Sequence, residues 1–474
     1  MTIIEKAERK FVDVTLTKLL NYIDKNPQKN LLKIVELAEK LLGGTFPQKN
    51  IDAAKKAIES GDGVYYQLAM NVLKDLDREM LKKILLAMGL GAGVKGTKAV
   101  RENREKYKCN IPFLLLMDPT SACNCKCKGC WAAEYGNREN LSYEEMASVV
   151  SQGKELGTHL YMFTGGEPLI RKNDLIKLCE ANPDCAFLAY TNGTLVDEKF
   201  CDDLVRVGNM ALAISVEGTE ESTDDRRGNG MYQKAISAMK LLKEKGCLFG
   251  MSVCYTSQNI DMVTSDEFLD KMVELGVKFG LYFNYMPVGH GAPVDLIPQP
   301  EQREKMYKWL RRVRNNVTGK PLFIMDFQHD GEFVGGCIAG GRNYFHINAA
   351  GDMEPCVFIH FSDSNIREKT LLEGLKSPLF MRFRHDQPFN DNHLRPCPML
   401  ENPDCLRDII KCTKAKSTNL ECEETADQLC SKCDKFAKQW APKAEEIWLN
   451  NPHPNPKTQY YRDTPEGKAE FGTN

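Results

Sequence analysis

A chain of 474 residues with 42% hydrophobic and 27% charged residues is long enough for one large core and one or two smaller modules. Its 63 basic and 65 acidic residues give a net charge of -2, so no overall field would attract nucleic acid. The N-terminus lacks the apolar core of a signal peptide, and no apolar run reaches membrane-spanning length. We therefore expect a cytoplasmic globular protein, whose 18 cysteines serve metal ligation and burial rather than disulfides.

Residues 1–105 have the sequence pattern of a helical N-terminal module. Apolar residues recur at three- and four-residue steps in 31–42 and again in 65–88, as in amphipathic helices that pack on another surface. The segment "GAGVKG" (91–96) matches G-x-G-x-x-G, but it follows a helix rather than a strand. We interpret it as a helix stop and a flexible connector, not as a dinucleotide site.

From residue 106 to residue 325, short apolar runs alternate with charged helical stretches. Six repeats of strand and helix predict an α/β fold, a partial (β/α)6 TIM-type barrel with a parallel sheet. The predicted strands are "PFLLLM", "HLYMFTG", "FLAYTNG", "ALAISVEG", "LFGMSVCYT" and "FGLYFNYMP". Polar motifs follow the strands, and ligands of such folds bind at the carboxyl ends of the strands, so we expect one shared site at the barrel mouth.

The loop after the first strand, "PTSACNCKCKGCW" (119–131), contains four cysteines. Cys123, Cys127 and Cys130 form C-x3-C-x2-C, and three thiolates would leave one iron of a four-iron cluster open to a ligand. Cys125 is an additional thiol with no assigned role. If it were the fourth ligand, the cluster would be closed and the protein would be a non-catalytic iron-sulfur electron carrier.

Polar groups follow the next strands and suit a ligand with an amine, a carboxylate and a sugar. The glycines of "FTGGEPL" (163–169) allow close backbone approach, the carboxylate of Glu167 suits an ammonium group, and an arginine suits a carboxylate. The candidate cofactor-binding residues are Gly165, Gly166, Glu167, Asn192, Ser215, Glu217 and Arg227.

These motifs resemble the radical S-adenosylmethionine (radical SAM) superfamily over about residues 110–290. The resemblance implies that Cys123, Cys127 and Cys130 bind a [4Fe-4S] cluster and that the GGEP segment positions the methionyl amine of S-adenosylmethionine. It also implies an electron donor such as flavodoxin or ferredoxin. The reduced cluster would cleave the cofactor to a 5'-deoxyadenosyl radical, which abstracts hydrogen from an unactivated C-H bond. Position 129, often aromatic in this superfamily, is glycine here, with Trp131 after the last cysteine.

Residues 326–450 are predicted to be a small cysteine-rich domain, with a hairpin around Ala350 and Gly351. "CIAGGRNYFHINAAGDMEPC" (337–356) resembles the first half of the SPASM/twitch auxiliary-cluster domain, whereas the later cysteines are more loosely spaced than in that family. The resemblance implies an auxiliary [4Fe-4S] cluster on Cys337, Cys356 and Cys397, with Cys433 or a non-cysteine group as fourth ligand. Cys405, Cys412 and Cys422 fit either a second cluster or simple thiols. We expect residues 451–474 to be a disordered tail.

The sequence leaves the substrate open. Helices packed over a barrel mouth would roof an apolar cavity, which favours a lipid or other small-molecule substrate, and a basic amphipathic stretch in 65–105 favours peripheral membrane contact. The alternative is a maturase that modifies a peptide or protein. The catalytic residues stay unknown, and Cys254 and Tyr285 at strand ends are the weak candidates.

Overall fold

The computed structural model describes residues 3–41, 48–454 and 460–471. Its N-terminal part is helical, as predicted. The helices are α1 (Ile3–Lys25), α2 (Pro27–Leu41), α3 (Gln48–Ser60), α4 (Val64–Asp75) and α5 (Arg78–Leu85), then a π-helix (Leu86–Gly96) and α6 (Thr97–Tyr107). The Asp77 side chain accepts hydrogen bonds from the amides of Glu79 and Met80, so it caps α5 where the predicted 65–88 helix divides in two.

The "GAGVKG" segment lies inside the π-helix and continues directly into α6. The prediction of a helix stop with a flexible connector is therefore wrong, whereas the absence of a preceding strand agrees with the rejection of a dinucleotide motif. A side chain at Gly91 would collide with the carbonyl of Asp184, and one at Gly96 would lie 2.7 Å from the carbonyl of Gly157. These glycines let the helix backbone pack directly on the barrel.

All six predicted strands are present, and a seventh follows them. The parallel strands are β1 (Leu114–Met117), β2 (Leu160–Phe163), β3 (Ala186–Thr191), β4 (Met210–Ser215), β5 (Phe249–Tyr255), β6 (Phe279–Asn284) and β7 (Phe323–Asp326). The helices between them are α7 (Tyr143–Leu156), α8 (Lys172–Ala181), α9 (Glu198–Val207), α10 (Glu220–Arg227), α11 (Met231–Glu244), α12 (Ile260–Val263), α13 (Asp266–Glu274) and α14 (Pro300–Val313). The fold is a partial TIM-type barrel.

The N-terminal module closes the barrel at the amino ends of its strands. The Asp77 amide donates to the carbonyl of Gly246, just before β5, and Asp75 pairs with Lys278, just before β6. Ile84 and Ala87 pack in one hydrophobic cluster with Leu160 of β2. The module therefore does not roof the mouth, and its Ile84 and Ala87 are buried against the barrel, whereas Leu85 and Met88 are exposed.

The C-terminal part adds strands to the barrel sheet. The predicted hairpin is present as β8 (Tyr344–Ile347) and β9 (Met353–Glu354), and β8 also pairs in parallel with β1, so the sheet order is β7-β6-β5-β4-β3-β2-β1-β8-β9. Strands β10 (Phe361–Ser362) and β11 (Lys416–Ser417) form a second, small sheet. The helices are α15 (Gly331–Val334), α16 (Leu371–Leu375), α17 (Pro378–Asp386), α18 (Pro403–Thr413) and α19 (Ala426–Asn450).

Part of the segment predicted as a disordered tail is folded. Tyr461–Asp463 form a 3-10 turn and Pro465–Phe471 form α20, while the Arg462 guanidinium donates to the carbonyl of Pro388 at 3.1 Å. Aromatic rings and this hydrogen bond hold the segment next to α17, which composition alone does not reveal. Among the residues that the structure describes, no helix is both long and apolar enough to cross a membrane.

Candidate functional site

The four loop cysteines lie at the mouth of the barrel. After β1 the chain is held on one side by the Ser121 amide, which donates to the carbonyl of Glu139, and on the other by the Lys128 amide, which donates to the carbonyl of Arg226 at 2.8 Å. Three cysteines lie between these anchors and the fourth follows two residues after Lys128, and all four line one cavity of about 250 Å³. The residues are Cys123, Cys125, Cys127 and Cys130.

The two glycines after β2 pack the polar loop directly against the cysteine loop. The Gly166 amide donates to the carbonyl of Thr120 at 3.0 Å, and the Glu167 amide donates to the carbonyl of Ala122 at 2.9 Å. A side chain at Gly166 would collide with the carbonyl of Ala122, and Gly165 has a φ of 100°, which disfavours other residues. Both loops are thereby fixed relative to each other.

Glu167 is 1% exposed, and its carboxylate is oriented by its own chain. It accepts hydrogen bonds from Thr191 Oγ1 at 2.7 Å, the Asn192 amide at 2.9 Å and the Leu169 amide at 3.0 Å. Burial raises the pKa of Glu167, and these hydrogen bonds oppose that shift. A ligand ammonium group would favour the ionised form, so the residue suits the predicted role.

Two arginines face the cavity, and one buried carboxylate holds both. Glu217 Oε1 lies 2.6 Å from Arg226 Nη1 and 2.6 Å from Arg227 Nη2, and Glu217 is fully buried. The arginines line the cavity but Glu217 does not. Glu217, which the sequence proposed as a cofactor contact, therefore lies behind the arginines, and Arg226 is a lining residue that sequence reasoning missed.

Asn192 and Ser215 line the cavity at the ends of β3 and β4. Asn192 Nδ2 donates to Asn124 Oδ1 at 2.8 Å and contacts Cys125 Sγ at 3.4 Å. The Cys125 thiol is also close enough to that of Cys123 to raise the pKa of Cys123 by hydrogen bonding and lower its own. Cys125 therefore lies at the cavity surface between Cys123 and Asn192.

Two buried polar atoms reach the cavity without a hydrogen-bond partner among the described residues. They are Asn284 Oδ1 and Tyr285 Oη, at the carboxyl end of β6. The Tyr285 ring covers Gly129, because a side chain at that glycine would lie 2.6 Å from the ring. Cys254 lines the same wall, and burial raises its pKa to about 11. Unpaired buried polar atoms are costly, so these positions suit a polar ligand.

Three cysteines from the C-terminal part of the chain line the same cavity: Cys337, Cys356 and Cys397. The Tyr344 hydroxyl lies 2.8 Å from Cys356 Sγ. Burial raises the pKa of Cys337 to about 11 and that of Cys356 to about 12. The charges of Cys337 and Cys356 also raise the pKa of Cys397, after the larger effects of burial and of Glu401, so the three thiols are neighbours. Coordination by iron would hold them as thiolates.

A buried ion pair supports Cys397 from behind. Glu401 Oε2 accepts from the Cys397 amide at 2.8 Å, and Glu401 Oε1 lies 3.0 Å from Arg303 Nη2. Both side chains of this pair are fully buried, and the Arg303 guanidinium lies 4.8 Å from the ring centre of Trp440. Such a pair is costly to break, so it fixes the backbone at Cys397.

Cys433 does not line the cavity. It is buried in α19, in the hydrophobic cluster that also contains Cys430 and Trp440. Cys405 and Cys422 are half-buried and Cys412 is exposed. In the described ranges, no three histidine, cysteine or acidic side chains are gathered around a point where a single metal ion would fit. Each cysteine ligand of a four-iron cluster binds a different iron, so such ligands need not meet at a single point. The two sets of cysteines that line the cavity are therefore the candidate cluster ligands.

The residues present fit both groups that the sequence implied. Three loop cysteines face a cavity beside an oriented carboxylate, two held arginines and two unpaired polar atoms. Cys337, Cys356 and Cys397 line the same cavity.

The fold and site define a barrel protein with a ligand cavity between two sets of cysteines. Residues 117–269 of the chain match the family model of the radical SAM superfamily.

Two enzymes are similar in sequence to part of this chain. An AdoMet-dependent heme synthase of Oleidesulfovibrio alaskensis is 25% identical over 308 residues, which are 58% of this chain and 78% of the relative. An Fe-coproporphyrin III synthase of Methanosarcina barkeri is 27% identical over 262 residues, 51% of this chain and 64% of the relative. A crystal structure of Streptococcus suis SuiB bound to the precursor peptide SuiA is similar in fold, with a TM-score of 0.52 and 18% identity. That similarity covers 70% of this chain and 79% of SuiB.

Proposed function

We propose that the protein is a radical SAM enzyme that abstracts hydrogen from an unactivated C-H bond of a substrate held in the cysteine-lined cavity. The observation that carries this proposal is that Cys123, Cys127 and Cys130 line the same cavity as Glu167 and the two arginines. An electron carrier would need no such ligand pocket. A [4Fe-4S] cluster and S-adenosylmethionine, when bound and reduced by a flavodoxin or ferredoxin, supply methionine and a 5'-deoxyadenosyl radical that takes a hydrogen atom.

The chain's own residues bind and orient the cofactor. Glu167, held by Thr191 and the Asn192 amide, presents its carboxylate to the methionyl ammonium group. Arg226 and Arg227, fixed by Glu217, face the same space and suit the methionyl carboxylate. Ser215 and the Asn192 side chain provide hydrogen bonds for the ribose. Because these groups are already held in place, little ordering is needed on binding.

The cavity favours a small substrate whose reacting part is apolar. Its floor and walls contain Leu114, Leu116, Met162, Tyr190, Phe283 and Phe327, with Trp131 and Phe358 near the auxiliary cysteines. The cofactor and the clusters would share this cavity, which leaves space beside them for a small molecule or for one end of a larger one. The heme and Fe-coproporphyrin synthase names of two relatives support a small molecule. A lipid is the less favoured member of this class, because the helical module covers the opposite end of the barrel.

Peptide modification is the second candidate, because the cavity also has room for one side chain of a peptide. The protein with the similar fold, SuiB, was solved with a precursor peptide. The two candidates differ in the rest of the substrate, which would lie outside the cavity.

Cys337, Cys356 and Cys397 would hold an auxiliary [4Fe-4S] cluster at the same cavity. Such a cluster would supply one-electron chemistry close to the substrate. The free state of all 18 cysteines agrees with a reducing cytoplasm and with anaerobic handling of the clusters.

The experiment is anaerobic reconstitution of the full chain with iron and sulfide, compared with a Cys127→Ala variant. We expect an electron paramagnetic resonance signal that shifts on addition of S-adenosylmethionine, and 5'-deoxyadenosine and methionine after dithionite reduction. The variant should lose both. A wild-type cluster that is reduced but does not respond to the cofactor would contradict the proposal and favour an electron carrier.

Substrate classes are then compared by how strongly each one stimulates the formation of 5'-deoxyadenosine. A small-molecule substrate should stimulate formation without any peptide present. If only peptides stimulated the formation of 5'-deoxyadenosine, peptide modification would become the first candidate and a small-molecule substrate the second.

A further inference from the structure

A second cavity, of about 580 Å³, lies between α6, α17 and the C-terminal segment, and it is separate from the cysteine-lined cavity. We call it the arginine pocket. Its charged and polar lining residues are Arg104, Glu105, Lys108, Arg342, Arg384, His385, Gln387, Tyr460, Tyr461, Thr464 and Glu466. Among the described lining residues, four permanent cations therefore face two carboxylates, and Lys108 Nζ lies 3.5 Å from the carboxylate of Glu105.

The arginines of this pocket have no carboxylate partner in the part of the chain that the structure describes. Arg104 donates to the carbonyl of Ile111, through Nε at 2.9 Å, and to that of Arg342. Arg342 is 5% exposed and donates to three carbonyls, with Nε 2.6 Å from the oxygen of Cys337. Among the described residues, Arg384 has no hydrogen bond or ion pair, its guanidinium lies 5.3 Å from the centre of the Tyr461 ring, and the charges of Glu105 and Glu466 act on it from a longer distance. Carbonyls orient a guanidinium but do not neutralise its charge.

Elsewhere in the fold, buried arginines are neutralised. Arg303 pairs with Glu401, and Arg226 and Arg227 pair with Glu217. The arginines of the arginine pocket instead lie close to other positive charges. Burial, followed by the charges of Arg342, Arg101 and Arg384, lowers the pKa of Arg104 to about 10. Like charges held together in a half-buried space are costly unless an anion joins them.

A polar donor and aromatic rings complete the pocket. The Tyr460 hydroxyl is buried and has no hydrogen-bond partner among the described residues, while the Tyr460 ring lies 5.5 Å from the Arg342 guanidinium. A phenol can donate to an anionic oxygen. The volume exceeds that of an inorganic anion alone, and the rings of Tyr460 and Tyr461 suit an attached organic group.

We propose that the arginine pocket binds a phosphate dianion, carried by a small phosphate monoester or present as inorganic phosphate. The described lining residues have two more cations than carboxylates, which matches the charge of a dianion. A guanidinium group can also donate two parallel hydrogen bonds to two oxygens of one phosphate. The Arg384 guanidinium is the contact best placed to bind the anion, because the described structure gives it no hydrogen bond of its own. The ligand would lie next to the Cys337 loop, because Arg342 binds the Cys337 carbonyl.

Isothermal titration calorimetry on the full chain, purified in phosphate-free buffer, tests the proposal with inorganic phosphate and with phenyl phosphate. We expect saturable binding of phosphate, and tighter binding of phenyl phosphate if the ligand is a monoester. Arg384→Ala should weaken binding about tenfold or more, because one charge-assisted contact is lost.

Arg382→Ala is the matched control. Arg382 lies on the same helix, pairs with Asp386 at 2.8 Å and does not line the pocket, so its removal should leave binding unchanged. Thermal unfolding without phosphate separates binding from folding, since Arg384→Ala removes repulsion and should not lower the melting temperature. The proposal is overturned if neither probe binds at millimolar concentration, or if both variants weaken binding equally.

Discussion

His346 Nε2 lies 2.9 Å from Asp118 Oδ1, and this buried contact joins the C-terminal hairpin to the end of barrel strand β1. On the other side of the ring, His346 Nδ1 lies 2.7 Å from Glu354 Oε2, which also accepts from the Tyr135 hydroxyl at 2.6 Å. Trp131, directly after the last loop cysteine, packs edge-on against His346, with 5.8 Å between ring centres. One imidazolium therefore links the cysteine loop, the barrel and the auxiliary hairpin.

Replacement of this imidazole should destabilise the fold. In His346→Gln the carboxylates of Asp118 and Glu354 stay buried without their cation, so we expect a loss of about 3–5 kcal/mol in the free energy of unfolding. Urea denaturation under anaerobic conditions measures it. His290→Gln, at an exposed position, is the control and should change stability little. Equal stability of the two variants would mean that the buried cluster is not an ion pair.

The stability of the protein should fall as the pH rises above neutrality. Burial alone would lower the pKa of His346, but the two carboxylates outweigh it and raise the pKa to about 10. An unfolded histidine titrates near 6.5, so the contribution is complete below about pH 6.5 and is lost as the pH rises toward about 10. The buried thiols also titrate as the pH rises, but they are the same in wild type and in His346→Gln. The difference between the unfolding free energies of the two proteins therefore isolates the contribution of His346. A constant difference between them from about pH 7 to about pH 9 would contradict the assignment.

Glu167→Gln should separate cofactor binding from cluster binding. The amide can keep part of the hydrogen bonding with Thr191 and Asn192 but carries no charge for the methionyl ammonium group. We expect unchanged iron content and about tenfold or more weaker binding of S-adenosylmethionine, measured by equilibrium dialysis of the reconstituted protein. Glu244→Gln, at an exposed helical position, is the control. Unchanged cofactor affinity would remove Glu167 from the site.

Cys125→Ala should retain the radical SAM cluster. The thiol contacts Asn192 and Cys123, but the three-cysteine motif already provides the ligands that leave one iron open. Iron content and 5'-deoxyadenosine formation should stay near those of wild type, whereas Cys127→Ala loses both. A loss in Cys125→Ala equal to that in Cys127→Ala would make Cys125 a ligand and would close the site.

The sequence predicts the barrel well because its strands are local apolar runs. It misses β7, a four-residue strand whose first residue, Phe323, is 53% exposed, and with it the lining residue Gln328. It also misses the pairing of β8 with β1, more than 200 residues earlier, because no local pattern encodes a distant partner. For the same reason, amphipathic periodicity predicts the N-terminal helices but not which end of the barrel they cover.

Within the site, spacing identifies the cysteines, the glycines and Glu167, because each belongs to a short motif. Asn284 reaches the cavity as a single residue with no spacing to mark it, and Arg226 directly precedes Arg227, so sequence alone does not reveal that both arginines line the cavity. Glu217 stands in a motif with Ser215, but only the folded chain reveals that it binds two arginines instead of facing the cavity.

The cysteines of the C-terminal domain should divide into ligands and packing residues. Cys397 lines the cavity beside Cys337 and Cys356, whereas Cys433 is buried away from it in α19. Cys397→Ala should therefore lose about four irons per chain, the content of one [4Fe-4S] cluster, and keep the cofactor-responsive resonance of the loop cluster. Cys433→Ala should retain its iron, as should Cys412→Ala, an exposed control. Iron counting and low-temperature resonance measure both effects. If Cys433→Ala lost as much iron as Cys397→Ala, Cys433 would be the fourth ligand.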